Sequence, residues 1–166
     1  MDNYAAEELT ALGFSSVGKN VVVAREVRFY AIEGFLGDNV RIDTYCILTG
    51  NIELHDNVHI APLTFLSATG GKISMGAGAG TGPQVAMLTK SDDYTAADLE
   101  QAGKLSGDIT VGAGTIIGAG CKLLPGITIG EEASIGSNCV ITSDIRAGDM
   151  VVSRGAANIT IGNRYD

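Results

Sequence analysis

The sequence is poor in several residue types whose absence is informative. It has no tryptophan, 5% aromatic residues, three prolines and three cysteines in 166 residues. No apolar run approaches the roughly 18 residues of a membrane-spanning helix. Eleven Lys and Arg against 19 Asp and Glu give a net charge of −8 and leave no basic block for nucleic acid. The first residues are acidic where a secretory signal would be positively charged. We expect one cytoplasmic domain without a membrane span or a nucleic-acid partner.

The abundant residues, which are apolar residues and glycine, indicate a folded chain with an internal repeat. Apolar residues make up 45% of the sequence, too many for a disordered protein. Its 23 glycines lack the three-residue period of collagen. A different internal period must therefore account for the glycine.

That period is six. Eighteen hexads can be counted, and their lead residue is apolar in every hexad except the one that begins at Thr81. The lead residues are Val17, Val23, Phe29, Leu36, Ile42, Leu48, Leu54, Ile60, Leu66, Met75, Thr81, Met87, Val111, Ile117, Leu123, Ile129, Ile135 and Ile141. A six-residue unit cannot bury its own apolar side chain, so the units must stack into a solenoid.

The other hexad positions indicate short strands joined by tight turns. Position five is small or β-branched in 16 hexads, which suits a second inward site. Position four is Asn, Gly or Asp in ten hexads, and these residues tolerate a positive φ. Cys46, Cys121 and Cys139 all occupy position five, so we interpret them as small buried residues in a reducing compartment.

Three segments leave the repeat. Residues 1–16 read as an N-terminal helical cap, with a short amphipathic helix over residues 2–12. The hexads fill residues 17–152 apart from an extruded loop at 89–108, and residues 153–166 form a C-terminal tail. Loops of this length in compact domains usually carry function or are disordered.

Three strings resemble the hexapeptide-repeat acyltransferases, in particular the branch of galactoside and O-antigen sugar O-acetyltransferases. They are GDNVRIDTYCILTGNIELHDNVHIAP (37–62), LTKSDDYT (88–95) and IGAGCKLLPGITIGEEASIGSNCVIT (117–142). The resemblance implies a left-handed parallel β-helix with three hexads per coil, hence about six coils. It also implies a homotrimer in which acetyl-CoA lies between neighbouring subunits and the loop reaches the next subunit.

Acyl transfer needs a base near the attacking proton and a donor for the developing oxyanion. The sequence has two histidines, His55 and His59. His59, in the family-like string VHIAP, is our candidate general base; a contact to the acyl chain or substrate and a solvated surface histidine are the alternatives. We interpret His55 as a surface residue. Two histidines without a third ligand do not make a zinc site, so we expect no metal.

The loop departs from the family pattern, because relatives carry a catalytic histidine near the positions of Lys90, Asp92 and Asp93. Either His59 is the base and Asp92, Asp93 and Tyr94 bind the sugar acceptor, or Asp92 or Asp93 is the base. The second account requires burial to raise a carboxyl pKa. Solvated acidic side chains are the third alternative.

The resemblance also assigns the coenzyme residues. Gly118, Ala119, Gly136, Ser137 and Thr142 would line the groove for acetyl-CoA. Two lysines that suit the coenzyme phosphates in relatives are replaced by Ser143 and Asn158. Arg154 or Arg146 could bind phosphate instead, because a guanidinium grips phosphate through two hydrogen bonds.

We therefore predict an acetyl-CoA-dependent acetyltransferase that acts on a sugar hydroxyl in polysaccharide or O-antigen synthesis, by direct transfer without an acyl-enzyme. One alternative is an N-acetyltransferase for a nucleotide-linked amino sugar, which would use the same fold and donor. The other is a non-catalytic β-helix trimer that serves as a scaffold, which the missing histidine and lysines favour.

Overall fold

The computed structural model describes residues 2–93, 103–154 and 157–163. Within these ranges the chain forms one short helix, α1 (Ala6–Leu12), and a succession of mostly very short strands. The strands are β1 (Ser16–Val17), β2 (Val22–Val23), β3 (Arg28–Leu36), β4 (Arg41–Ile42), β5 (Ile47–Leu54), β6 (His59–Ile60), β7 (Phe65–Met75), β8 (Gly80–Thr81), β9 (Ala86–Leu88), β10 (Lys90–Asp92), β11 (Lys104–Ser106), β12 (Ile109–Val111), β13 (Ile116–Ile117), β14 (Lys122–Leu123), β15 (Thr128–Ile129), β16 (Ser134–Ile135), β17 (Val140–Ile141), β18 (Asp149–Arg154) and β19 (Ala157–Asn163).

Parallel pairing wraps the strands into a three-sided prism. Residues pair with those three hexads further along, as Arg41 does with His59 and Ile116 with Ser134. The first face contains β2, β4, β6, β8, β13, β16 and β18, in this order. The second face contains the starts of β3, β5 and β7 followed by β9, β14 and β17. The third face contains β1, the ends of the same long strands, β12 and β15.

The solenoid has about seven turns, one more than the hexads predict. The additional turn arises because β18 pairs with β16 in parallel and extends the first face beyond the last hexad. The C-terminal segment is also not simply a tail, because β19 folds back and pairs antiparallel with β18. The extruded loop likewise begins as an antiparallel ribbon of β10 and β11.

The hexad pattern correctly identifies the core. Sixteen of the 18 lead residues are buried, Thr81 among them, and Val17 and Phe29 are partly buried. Most position-five residues point inward as well, Glu33 and Ser91 being exceptions, and all three cysteines are free and buried, as predicted. At the open end of the first coil, Leu9 of α1 and Phe14 are each 1% exposed and belong to the same core.

The turns after many strands require close contact between successive coils. A Cβ atom on Gly76 would lie 2.6 Å from the backbone nitrogen of Ala113 in the next coil, closer than real Cβ atoms approach. Gly80, four residues later in the same coil, is different: its Cβ would meet only His59 atoms, at 3.6 Å or more. The fold therefore requires glycine at position 76 but not at position 80.

We predict opposite effects on stability for this pair of glycines. Gly76→Ala should lower the free energy of unfolding by about 1–3 kcal/mol, because the added methyl group forces two coils apart. Gly80→Ala should leave stability unchanged or raise it by up to about 1 kcal/mol, because alanine orders a strand better than glycine. Urea denaturation followed by circular dichroism measures both. Equal losses in the two variants would contradict the packing described here.

Candidate functional site

His59 lies on β6 of the first face, beside the prism edge that joins the first face to the second. We call this the front edge; its turns comprise residues 43–45, 61–63, 82–84, 118–120 and 136–138. The imidazole Nε2 of His59 lies 2.8 Å from Oδ2 of Asp43, one coil earlier. Arg41, paired with His59 through β4, donates to both oxygens of the same carboxylate, from Nε at 2.7 Å and from a terminal nitrogen at 2.9 Å.

These contacts determine the protonation of the pair. Burial raises the pKa of Asp43, but the hydrogen bonds from Arg41 and His59 outweigh it, so the pKa lies below its ordinary value. Asp43 is therefore ionised at neutral pH and can only accept hydrogen bonds. Nε2 of His59 therefore carries a proton in this contact, and in the neutral imidazole Nδ1 presents its lone pair. The His59 side chain is 42% exposed, so a ligand can reach it.

The first face is open on the far side of His59. Gly80 pairs with His59 on one side and with Ile116 on the other, so one outward position between these two side chains is empty. Ile116 is 50% exposed. The result is a small depression with an imidazole on one wall and an aliphatic side chain on the other.

The front edge also carries unusual backbone geometry. Tyr45, Leu63 and Gln84, in successive coils, have φ values of +60°, +62° and +61°. At the same hexad position of the turns between the third and first faces, the chain has Asn20, Asn39 and Asn57, with Glu132 as a large exception at a φ of +57°. A bulky residue in the left-handed region is strained, and such strain clusters at functional sites. The left-handed backbone at these three residues of the front edge therefore lowers the stability of the fold.

The residues assigned to the coenzyme lie mostly on this edge. Gly118 and Ala119 form the turn after β13, and Gly136 and Ser137 form the turn after β16. The Gly118 and Gly136 N–H groups already donate to Ile135 and Val151 in the next coil. The Ala119 and Ser137 N–H groups donate to no acceptor among the described residues. Of these four residues, Ala119 and Ser137 are thus the ones whose backbone N–H groups are available to a ligand.

The two arginines and Thr142 occupy different places. Arg154 is exposed at the end of β18, beyond Ser137 in the next coil. Arg146 is paired with Asp149 at 3.1 Å. Thr142 and Ser143 follow β17, at the edge between the second and third faces. Asn158 lies on β19.

Within one chain, Asp92 and Asp93 of the loop do not lie near His59. Asp92 forms an ion pair with Lys104 across the β10–β11 ribbon, and Lys90 is exposed. The N–H of Asp93 donates to the carbonyl of Gly103. Tyr94 lies outside the described residues. The ribbon leaves the solenoid between the second and third faces, whereas His59 is on the first.

His55 belongs to another edge, between the third and first faces, where its ring makes an edge-on contact with Phe35 at 5.1 Å. The described residues contain no group of three His, Cys, Asp or Glu that could hold a metal ion. In the part of the chain that the structure describes, no helix has the length and hydropathy of a membrane span. Burial raises the pKa of Cys46 and of Cys121 to about 11, so neither thiol is a ready nucleophile.

Known proteins share both the repeat and the fold. Residues 108–143 match the family model described as bacterial transferase hexapeptide (six repeats). A dTDP-4-amino-4,6-dideoxy-D-glucose acyltransferase from Escherichia coli is 32% identical over 129 residues, covering 71% of this chain and 67% of the relative. The chain belongs to the hexapeptide-repeat sugar acyltransferases. It is therefore an acyltransferase with a left-handed parallel β-helix, as predicted.

Solved structures of AntD, an N-acyltransferase from Bacillus cereus, match this acyltransferase over nearly its whole length. AntD in complex with dTDP and 3-hydroxybutyryl-CoA is 29% identical, with a TM-score of 0.85 over 98% of this chain and 89% of AntD. A single-residue AntD variant in complex with dTDP-4-amino-4,6-dideoxyglucose and coenzyme A is 28% identical, with a TM-score of 0.86 over 98% and 91% of the two chains.

Sequence reasoning found His59 but missed Asp43, Arg41 and the depression at Gly80. Asp43 stands at hexad position two, where glycine is common, and its partner is 16 residues away. The available signal was the departure from the repeat at position four, where Tyr45 and Leu63 replace the usual Asn or Gly of the left-handed turn. A large side chain at a position that favours Asn or Gly indicates a role other than forming the turn.

We predict a pH-dependent contribution of Asp43 to stability. Because its pKa is lowered in the folded state, the contribution is complete above the ordinary carboxyl pKa of about 3.9 and is lost as the pH falls through the lower folded value. Asp43→Asn should cost about 1 kcal/mol at pH 7 and less at pH 3, measured by urea denaturation at both pH values.

Glu131→Gln is the matched control, because Glu131 is exposed and its carboxylate accepts no hydrogen bond from the described residues. It removes a surface carboxylate without removing a hydrogen bond, so it should cost little stability at either pH value. An Asp43→Asn cost that is equal at pH 7 and pH 3 would contradict the ion-pair geometry.

Proposed function

We propose that this acyltransferase moves an acyl group from an acyl-CoA to the amino group of a dTDP-linked 4-amino sugar. The observation that carries the proposal is the His59–Asp43 pair beside Gly80, on the edge where Ala119 and Ser137 offer free N–H groups. The relatives support the choice of substrates, because the Escherichia coli protein is named for a dTDP-4-amino sugar and AntD is an N-acyltransferase.

This proposal selects the N-acetyltransferase for a nucleotide-linked amino sugar, which the sequence analysis gave as the first alternative to transfer to a hydroxyl. Transfer to a sugar hydroxyl rests on the resemblance of the three strings and stays a prediction, which the same experiment tests. In either reaction His59 has the same task, since both an amine and a hydroxyl lose a proton when they become acylated.

In the proposed mechanism, Nδ1 of His59 accepts a proton from the attacking amine, which bonds to the thioester carbonyl carbon. Asp43 keeps Nε2 protonated and offsets the positive charge that develops on the ring, as an ionised carboxylate does beside an imidazolium. The sulfur of coenzyme A leaves and is protonated. Arg41 holds the carboxylate by two hydrogen bonds, so the imidazole keeps one orientation.

The donor would lie along the front edge. Ala119 and Ser137 are in consecutive coils, so their N–H groups are spaced along the solenoid axis at the separation of stacked strands, about 4.8 Å. An extended pantetheine chain carries amide carbonyls that can accept from such groups. We place the coenzyme phosphates near Arg154, in the coil beyond Ser137. Gly118 lets the coils pack closely, since a Cβ atom there would lie 2.6 Å from the backbone nitrogen of Ser137, whereas one on Gly136 would lie 3.2 Å from a side-chain atom of Val152.

Acceptor binding by Asp92, Asp93 and Tyr94 fits this scheme only across a subunit boundary. The ribbon that carries Asp92 leaves a different edge from the one beside His59. We therefore propose the homotrimer that the family resemblance implies, with each loop reaching a neighbour's front edge. Exposed apolar side chains in adjacent coils beside the front edge support such self-association, namely Tyr45, Ile47, Leu63 and Phe65.

We also propose the cytoplasm as the compartment, because all three cysteines are free. A role of the acylated sugar in polysaccharide or O-antigen synthesis stays a prediction.

The decisive experiment compares two acceptors that differ in one functional group. The purified protein is incubated with acetyl-CoA or 3-hydroxybutyryl-CoA and either dTDP-4-amino-4,6-dideoxyglucose or dTDP-6-deoxyglucose, which has a hydroxyl at the same carbon. We expect an acylated product from the amino sugar that survives alkaline hydroxylamine, since hydroxylamine cleaves esters and leaves amides intact. Mass spectrometry reads the result.

The other outcomes are equally informative. A product only from the hydroxyl acceptor would contradict N-acylation and support the O-acetyl prediction. Coenzyme binding without transfer to either acceptor would contradict the proposed substrates.

We predict that His59→Ala lowers kcat by about 10²–10⁴-fold, the usual contribution of a general base. The KM for acetyl-CoA should change little, since the imidazole acts on the acceptor. The loss should shrink as the pH rises, because more of the amine is then already deprotonated. Steady-state kinetics from pH 6 to pH 9 measure both effects.

His55→Ala is the control, because His55 lies on a different edge and should leave kcat unchanged. Equal kinetics for His59→Ala and the unaltered enzyme would remove the assigned base.

A further inference from the structure

Gly80 has no structural reason to be glycine. A Cβ atom there would approach nothing closer than 3.6 Å, and its backbone does not occupy the left-handed region. It lies in strand β8, where glycine weakens the structure. Elsewhere in the same coil, Gly76 and Gly82 each face a backbone nitrogen that a Cβ would meet at 2.6 Å. An unexplained strand glycine on a surface often marks the close approach of something outside the chain.

The depression above Gly80 has a defined shape. We call it the notch: its floor is the Gly80 backbone, and its walls are His59 of β6 and Ile116 of β13. The walls are two strand spacings apart, about 10 Å. That width holds one chain of methylene groups with contact distances of about 4 Å on each side.

We propose that the notch binds the acyl group of the donor and that Gly80 admits acyl chains longer than acetyl. This inference rests on the proposed function, because it takes the acyl-CoA to lie along the front edge. Gly80 is then a specificity-determining position, which acts by leaving space.

The direction of the donor favours the acyl group over the sugar as the occupant. Ala119 and Ser137, the proposed donor contacts, lie in the two coils on the Ile116 side of the notch. A pantetheine chain that runs from them toward His59 reaches Gly80 immediately before the base. The aliphatic wall is thus on the donor's side, where it can contact an alkyl chain, and the acceptor amine approaches from the His59 side.

The test fills the notch. Gly80→Val places a β-branched side chain between His59 and Ile116, in a strand conformation that valine favours. Ser74→Val is the matched control, because Ser74 occupies the same outward hexad position of the same coil on the third face. Kinetics are measured with acetyl-CoA and butyryl-CoA. The affinities for butyryl-CoA and coenzyme A are measured by calorimetry without an acceptor.

We expect the unaltered enzyme to bind butyryl-CoA more tightly than coenzyme A and to use it as a donor. Gly80→Val should abolish this preference in binding. It should also lower the ratio of butyryl to acetyl kcat/KM by about 10–200-fold, the range by which a pocket discriminates a missing or extra methylene group. Ser74→Val should change neither. The thermal midpoint of Gly80→Val should not fall, which shows that it folds.

The other possible results distinguish failure of the notch proposal from failure of the proposed function. An unchanged butyryl-to-acetyl ratio and unchanged binding in Gly80→Val would overturn the notch and leave the proposed function standing. An equal loss of kcat/KM with acetyl-CoA and butyryl-CoA would also overturn the notch proposal, and so would a changed oligomeric state. In either case the space above Gly80 would be occupied by something other than the acyl group. Loss of the butyryl preference in binding, in an enzyme that acylates neither acceptor, would support the notch and overturn the proposed function. Failure to bind any acyl-CoA would overturn both.

Discussion

The stacking of each coil on the next through backbone hydrogen bonds is the constraint on which everything else in this molecule depends. Residues three hexads apart are brought into register, and the loop at 89–108 leaves the solenoid without breaking it, because Gly80 still pairs with Ile116. The register brings Arg41, Asp43 and His59 together from two coils. Their contacts therefore follow from the repeat of the whole solenoid.

In the coils of Tyr45 and Leu63, the front edge departs from the repeat in a way that the edge between the third and first faces does not. Large residues occupy left-handed turn positions at Tyr45 and Leu63, whereas the edge between the third and first faces has asparagine in the same coils. Gly80 is the converse departure, a small residue where the strand would accept a larger one. Strain and lost strand stability at one edge are difficult to explain by folding alone. Both are explained if ligands contact this edge.

The catalytic proposal depends on a division of tasks among neighbouring coils. The coil of Asp43 orients the base and that of His59 supplies it. The next coil leaves space above Gly80, and the following two offer N–H groups at Ala119 and Ser137. Such an axial arrangement suits a long, extended donor whose reactive end must meet the acceptor at one point. The nearby apolar side chains and the displaced loop favour assembly of several chains around that arrangement.

The sequence by itself determined the solenoid, its core and the candidate base, because a six-residue period fixes which side chains point inward. It also located the extruded loop and the buried cysteines. It could not reveal Asp43, since a carboxylate 16 residues from His59 becomes its neighbour only when coils stack three hexads apart. Nor could it distinguish Gly80 from glycines that close packing or a left-handed turn requires. Those distinctions depend on distances between coils, and only the tertiary structure decides them.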